Sequence, residues 1–338
     1  MTEDEKDFTE LSDEEISELS DDFVEGMREA VGIAFGSDVF GDIDENEKED
    51  LGSQIENLLL KYREAMSKDS EEERAIAMYE LYDEFLTQNF MAPEDEGEFD
   101  SGVEVLVGQI RDVLEGNRKG LEEIGYAKYY DLMDEFAREI VEEGKLSEVK
   151  SFLDSQADGS QEMILQRLMN PVFTDYHEYI EDHPEITDDS EARKYAEMYY
   201  ELAELTKKYL PHFIAVLQIV HGRENTYDKL NQMSLNNLLQ KLESKKYERF
   251  NDLANGIDRK LRNSIAHRDF KINPIKKEIE FYDREELVAE LNYSEFQNKV
   301  FHILAVFNAV WVFQLMLRYY RIQHLPRAFE ELREEIEE

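Results

Sequence analysis

Residues 261–270 read LRNSIAHRDF, and this short stretch organises the prediction of the fold around it. Arg262, Asn263 and His267 are polar groups set among apolar neighbours. If 252–267 forms one helix, Asn263 and His267 lie four residues apart and share a face. Arg262 and His267 are five apart, about 140° around an ideal helix, so they point the same way only if the helix ends or distorts near His267.

The segments on either side of this stretch predict a helical bundle with a short β-hairpin. Ser234 suits the N-cap of a helix over SLNNLLQKLE. RDFKINPIKKEIEFYD alternates polar and apolar residues on both sides of NPIKK, which predicts a hairpin. Helices are also predicted over about 192–222 and 294–322, the former divided or kinked at Pro211 and ending at Gly222.

The first half of the chain reads as a series of acidic amphipathic helices, with no convincing strand. Ser12 with Glu15, and Ser70 with Glu73, have the spacing of a capping box. The fold class is therefore mainly α. We expect an acidic all-α domain over 1–190, a helical domain with the hairpin over 191–325 and an acidic tail over 326–338. The loop 91–102 is a candidate division within the first domain.

The charge of the chain is very uneven along its length. Of a formal net charge of −42, residues 1–190 hold −41 and residues 191–338 hold −1, while 241–277 contains 11 basic and 5 acidic residues. An acidic surface adapted to high salt, as in halophilic organisms, explains the excess. So does an acidic domain that mimics nucleic acid or covers the basic half until a trigger arrives. The sequence leaves both explanations open.

Composition excludes several classes of function. The chain has no cysteine, which rules out disulfides and thiolate chemistry. The acidic start MTEDEKDFTELSDEE is not a secretory signal, so we expect a cytoplasmic protein. The apolar run VFHILAVFNAVWVFQLML contains His302, Asn308 and Gln314, and favours a buried helix over a membrane span. No metal-binding or cofactor-binding motif is present, so no cofactor and no metal are expected.

Arginine, histidine and a polar helper without metal ligands suit the cleavage of RNA. A neutral His267 can take the proton of a ribose 2′-hydroxyl, and Arg262 can hold the phosphate. Asn263 can fix the imidazole or contact the phosphate, and Asp258, four residues before Arg262, can orient the guanidinium. Basic neighbours are expected to bind the RNA backbone; they are Arg259, Lys260, Arg268, Lys271, Lys276 and Lys277.

LRNSIAH resembles the RNxxxH form of the signature of HEPN-domain proteins. The likeness extends to SLNNLLQKL upstream, to the RDFKIN and EIEFYD hairpin downstream and to the apolar 294–322 helix, and it covers roughly 192–325. It is closest to the versions found in abortive-infection and antiviral defence proteins. The acidic half resembles no family.

The resemblance implies an α-helical bundle that forms a homodimer in which two motifs meet. It implies a metal-independent endoribonuclease, acting as a toxin or defence effector, with Arg262, Asn263 and His267 as its catalytic residues. RNA is the expected substrate, and an antitoxin or sensor protein is a possible partner. The alternative is a non-catalytic RNA-binding or dimerising scaffold, in which Asn263 and His267 close a helix end, Arg262 pairs with Asp258 and the acidic half recognises a protein partner.

Overall fold

A computed structural model of the chain is 76% helical with one small three-stranded sheet, which confirms the mainly α fold. The residues it describes are 12, 13, 16, 45–90, 99, 101–156 and 175–337. The predicted cap at Glu15 lies outside them, as does most of the predicted loop 91–102.

The described residues form thirteen α-helices, one 3-10 helix and three strands. The helices are α1 Glu45–Met66, α2 Glu71–Phe90, α3 Gly102–Glu123, α4 Ala127–Glu142, α5 Leu146–Gln156, α6 Asp175–Asp182, α7 Asp189–Val220, α8 Tyr227–Asn231, α9 Leu235–Leu242, α10 Asn251–Asn255, α11 Arg259–Ala266, α12 Tyr293–Ile322 and α13 Leu325–Glu337. The 3-10 helix is Lys245–Phe250, and the strands are β1 Phe270–Asn273, β2 Glu278–Asp283 and β3 Glu286–Asn292.

The chain divides into two compact units. One contains residues 1–111 and 321–338, and the other contains residues 112–320. The boundary between these units does not coincide with the change in net charge near residue 190, because the second unit includes the acidic segments 112–156 and 175–190.

In the first unit, α1 and α2 pack side by side and α13 packs on α2. Tyr79 of α2 stacks on Phe329 of α13 at 4.2 Å between ring centroids. The C-terminal segment predicted as an acidic tail is therefore helical and contributes an apolar face. Ser70 and Glu73 form the predicted capping box, since each backbone N–H donates to the side chain of the other residue.

The second unit is built on two long buried helices, α7 and α12. They meet through aromatic rings, of which Tyr209 and Phe307 lie 6.0 Å apart and Phe213 and Phe313 lie 5.4 Å apart. Phe136 of α4 stacks on Phe313 at 5.3 Å and extends this core. Edge-to-face and stacked rings of this kind add specific geometry to the apolar burial.

Helix α7 begins earlier than predicted and is continuous at Pro211. It begins at Asp189, after Asp188 caps its first turn, and it runs through Pro211 without dividing. Pro211 is buried, and the packing of the helix on both sides of it outweighs the loss of one backbone donor. Gly222 follows the C-cap with φ +65, as its position in the sequence predicts.

The hairpin after the motif is confirmed, and a third strand extends it. β1 pairs antiparallel with β2, placing Phe270 opposite Phe281, and β2 pairs antiparallel with β3. The side chains of Ile279 and Phe281 are fully buried beneath the sheet. β3 is missing from the sequence prediction.

Among the described residues, one helix is long and apolar enough to span a membrane by length and composition. Its window has a mean hydropathy of 2.0, and 61% of that window is buried inside the protein. This burial agrees with the place of α12 in the core of the second unit.

The predicted helix 252–267 is broken in the structure. α10 ends at Asn255, and α11 begins only at Arg259. Gly256 lies in the break, where a Cβ atom would come within 2.4 Å of Val306 Cγ2 on α12. The chain therefore comes so close to α12 that only glycine fits at this position.

His302 of α12 lies directly below this break. Its Nε2 is 2.5 Å from the Tyr129 hydroxyl, and its ring stacks on Tyr126 at 4.8 Å. Burial is the main cause that lowers the pKa of His302, and the positive charges of Lys128 and Lys299 lower it further. The nearby Asp252 carboxylate acts in the opposite direction but does not outweigh them. The imidazole is thus held neutral as part of the core.

Replacing His302 with Gln is expected to reduce the pH dependence of the free energy of unfolding. Because the pKa of His302 in the folded state is below 6.5, the unfolded chain takes up a proton first as the pH falls. The stability from the neutral ring is complete above about pH 6.5 and is lost progressively below it.

Urea titrations of wild type and His302→Gln across this range would measure the difference. Burial also lowers the pKa of His212, so some pH dependence remains in the single variant and should decrease further in His302→Gln/His212→Gln. Parallel pH profiles for wild type and His302→Gln would contradict the assignment.

Candidate active site at the end of helix α11

The motif helix ends at His267 in a tight reversal of the chain. Arg268 has a left-handed backbone, with φ +56. Its N–H donates to the Ile265 carbonyl at 3.0 Å, and the N–H of Asp269 donates to the Ser264 carbonyl at 2.8 Å. These two bonds are those of a Schellman motif, here with arginine where glycine is usual. The helix therefore ends at Ala266, with His267 as its C-cap.

Ser264 fixes this helix end to the sheet. Its hydroxyl is buried, donates to the Asp269 carbonyl at 2.7 Å and accepts from the Tyr282 N–H at 3.1 Å. Tyr282 N–H also donates to the Asp269 carbonyl at 2.9 Å. One side chain thus ties the last turn of α11 to the start of β1 and to β2.

Asp258 caps the start of α11 and does not orient Arg262. Its carboxylate accepts from the N–H groups of Lys260 at 3.0 Å and Leu261 at 3.3 Å. The predicted pairing of Asp258 with Arg262 is therefore wrong, since an N-cap carboxylate turns toward the free backbone donors of the first turn. The buried Tyr199 hydroxyl accepts from the Asp258 N–H at 2.8 Å and donates to the Asp258 carbonyl at 3.3 Å.

Arg262 points toward α7 instead. Its Nε and Nη2 both donate to Glu204, with Nε at 3.0 Å, and its Nη1 donates to Asn263 Oδ1 at 3.2 Å. The guanidinium carbon lies 5.5 Å from the centre of the Tyr200 ring. The side chains of Arg262 and Glu204 are only 24% and 30% exposed, so this ion pair is partly shielded from water.

A cavity of about 410 Å³ opens beside the end of α11. The side chains of Asn263 and His267 share it, and Arg262 is not among its lining residues. The full lining is Asn263, His267, Asp269, Tyr282, Asp283 and Arg284. The structure therefore brings two of the three predicted catalytic residues together.

His267 is exposed, and its ring has no hydrogen-bond partner within the described part of the chain. Its backbone N–H donates to the Asn263 carbonyl at 3.0 Å, so the two residues are one turn apart. Tyr282, across the cavity, donates its hydroxyl to Glu280 at 2.5 Å. The Glu280 carboxylate raises the pKa of Tyr282, mainly through this hydrogen bond, and keeps the phenol protonated.

The six residues predicted to bind RNA differ in how free they are. Arg259 pairs with Glu243 at 2.6 Å, Lys276 pairs with Glu278 at 3.5 Å, and the Lys271 ammonium lies 4.7 Å from the centre of the Tyr282 ring. The other three are exposed and have no ion pair with any described residue; they are Lys260, Arg268 and Lys277.

The prediction did not assign five residues of the site, which are Glu204, Ser264, Asp269, Asp283 and Arg284, and it named Tyr282 only as an aromatic residue that could stack on bases. Glu204 belongs to a helix some sixty residues away in sequence, so no local spacing indicates it. Tyr282 and Arg284 could have been assigned to the site, because they sit at the end of the predicted second strand, directly opposite the end of the motif helix.

No protein-family model, curated protein or solved structure matches the chain. The resemblance to HEPN proteins thus stays a prediction based on the motif and its surroundings. In the part of the chain that the structure describes, no three His, Asp or Glu residues are grouped to hold a metal ion.

Replacing Ser264 with Ala is expected to destabilise the protein by about 1–3 kcal/mol, because a buried hydrogen-bonded hydroxyl is lost and its partners remain. Chemical denaturation would measure this, and Ser294→Ala, an exposed serine on the first turn of α12, provides the control. Equal stability of the two variants would show that the hydroxyl does not hold the helix end.

The Arg262–Glu204 pair is expected to show a coupling of about 0.5–3 kcal/mol in a double-mutant cycle. Either single alanine variant leaves a partly buried charge without its partner, so the double variant should be more stable than the sum of the single effects predicts. Denaturation of Arg262→Ala, Glu204→Ala and the double variant measures the coupling. Additive effects would mean that the ion pair is not maintained in solution.

Proposed function

We propose that the protein is a metal-independent endoribonuclease of the HEPN type. The observation that carries this proposal is the position of His267. Its ring is exposed, has no described partner and shares a cavity with Asn263 at the end of a rigidly held helix. A general base needs this combination of access and fixed direction.

In this proposal, the neutral His267 takes the proton of a ribose 2′-hydroxyl. The resulting oxygen attacks the adjacent phosphorus, and the bond to the 5′-oxygen of the next nucleotide breaks. The products are a 2′,3′-cyclic phosphate and a 5′-hydroxyl. Asn263 contacts the phosphate, and His267 of the second protomer of a homodimer helps to protonate the leaving oxygen, while Arg262 holds α11 against α7 through Glu204.

Free basic side chains on α11 and the adjoining hairpin support the binding of RNA. Lys260, Arg268 and Lys277 are exposed without described acidic partners, and Lys271 lies beside Tyr282 at the edge of the cavity. Cations of this kind bind the phosphate backbone independently of sequence. On the resemblance, the cellular role is that of a cytoplasmic toxin or defence effector, with an antitoxin or sensor protein as a further partner.

A second candidate is a non-catalytic RNA-binding or dimerising scaffold. The observation in its favour is the ion pair of Arg262 with Glu204, which occupies the guanidinium within the fold. An arginine of this kind can serve structure alone, and a fold by itself does not fix an activity.

RNA cleavage decides between the two candidates. Wild type, incubated with labelled tRNA and total RNA in the presence of EDTA, is expected to produce cyclic-phosphate ends. His267→Ala should lower the rate by a factor on the order of 10²–10⁴, as expected for the loss of a general base.

His221→Ala is the matched control. His221 is also an exposed histidine at the C-cap of a helix, followed by a left-handed residue, but it lies outside the cavity. The His221→Ala variant should cleave RNA at the wild-type rate. Cleavage by His267→Ala at the wild-type rate would refute the assignment. Failure of wild type to cleave any RNA, with binding retained, would favour the scaffold.

A further inference from the structure

The cavity around His267 requires a cation that Arg262 does not supply within one protomer. Two nitrogens of Arg262 donate to Glu204 and the third donates to Asn263. The charge of the guanidinium is thereby balanced by a partly buried carboxylate. An ion pair of this kind holds α11 against α7, and moving the arginine to a phosphate would leave Glu204 without a partner.

We propose that Arg284 is the phosphate-binding residue of the cavity and that the ligand it recognises is a nucleotide unit of single-stranded RNA. The inference rests on the proposed function of the same cavity. Arg284 lines the cavity together with Asn263 and His267. It is exposed, and within the described residues it has no ion pair or hydrogen bond through its side chain. Its five donors are therefore available to a ligand.

The backbone holds Arg284 in a fixed place. Asp283 pairs with Glu286, so Arg284 and Glu285 alone form the turn between β2 and β3. Both have positive φ values, of +51 and +71, as in a type I′ turn. Such a turn usually contains Asn and Gly, because a side chain on left-handed backbone costs about 1 kcal/mol or more. The turn thus sets the position from which the Arg284 side chain reaches the cavity.

The cavity lining indicates a nucleotide more than a bare phosphate. Asp269 and Asp283 place two carboxylates in the same cavity as Arg284 and His267. Carboxylates repel a simple anion, but they accept hydrogen bonds from the amino groups of bases. A cavity of about 410 Å³ has room for one nucleotide.

Asparagine substitutions in the turn test this proposal without disturbing the fold. Asn tolerates left-handed backbone, so Arg284→Asn removes the guanidinium and keeps the turn. Glu285→Asn makes the same exchange at the neighbouring position, which does not line the cavity. The probe is a short single-stranded RNA with fluorine in place of every 2′-hydroxyl, which cannot be cleaved because it lacks the nucleophile.

We expect Arg284→Asn to weaken binding of this RNA about tenfold or more, as the loss of a charge-assisted contact predicts. The slope of log affinity against log salt should decrease in magnitude by about 0.7, the value for one phosphate contact on a single strand. Glu285→Asn should keep the wild-type affinity and the wild-type slope of log affinity against log salt. Wild type should bind inorganic phosphate much more weakly than a ribonucleoside 3′-monophosphate, and only the latter should compete with the RNA.

Three results would overturn the proposal: no binding of the RNA by wild type, unchanged binding by Arg284→Asn, or an equal loss in both turn variants. Cleavage of ordinary RNA tests the nuclease hypothesis in a separate assay. If Arg284 governs binding but wild type does not cleave, the binding site stands and the enzyme hypothesis fails. If wild type cleaves and Arg284→Asn binds and cleaves normally, the enzyme stands and this inference fails.

Discussion

A helix of eight residues is too short to be stable alone, and the site depends on how α11 is held at both ends. The buried hydroxyl of Tyr199 bonds to the backbone of Asp258 at its start, and the buried hydroxyl of Ser264 bonds to the sheet at its end. α7 and β2 therefore determine where the motif residues point. The break at Gly256 is what allows α11 to take a direction independent of α10.

This arrangement explains why Arg262 and His267, which belong to one motif, do not point in the same direction. Arg262 and His267 are separated by about 140° on a helix, so one short helix directs them to different surroundings. Arg262 is directed to Glu204 on α7, and His267 is directed to the cavity in front of the sheet. The two residues are thus suited to different tasks, one to positioning the helix and the other to contact with a ligand.

The parts of the fold that depend on local signals could be predicted from the sequence. Ser234 caps its helix, Gly222 ends α7, and the alternation around NPIKK gives β1 and β2. The break at Gly256 could not be predicted, because a glycine inside a helical pattern is often tolerated and the steric reason lies on α12. Glu204 could not be predicted either, because it meets Arg262 only after α7 and α11 pack.

Left-handed backbone at Arg268, Lys277, Arg284 and Glu285 places three cations on positions that favour Gly, Asn or Asp. Gly, Asn or Asp at these positions would relieve the backbone. The protein therefore carries these charges at a cost in conformational energy. An effort to make this protein more robust by relaxing its turns would therefore remove surface positive charge, including that of Arg284 in the cavity lining.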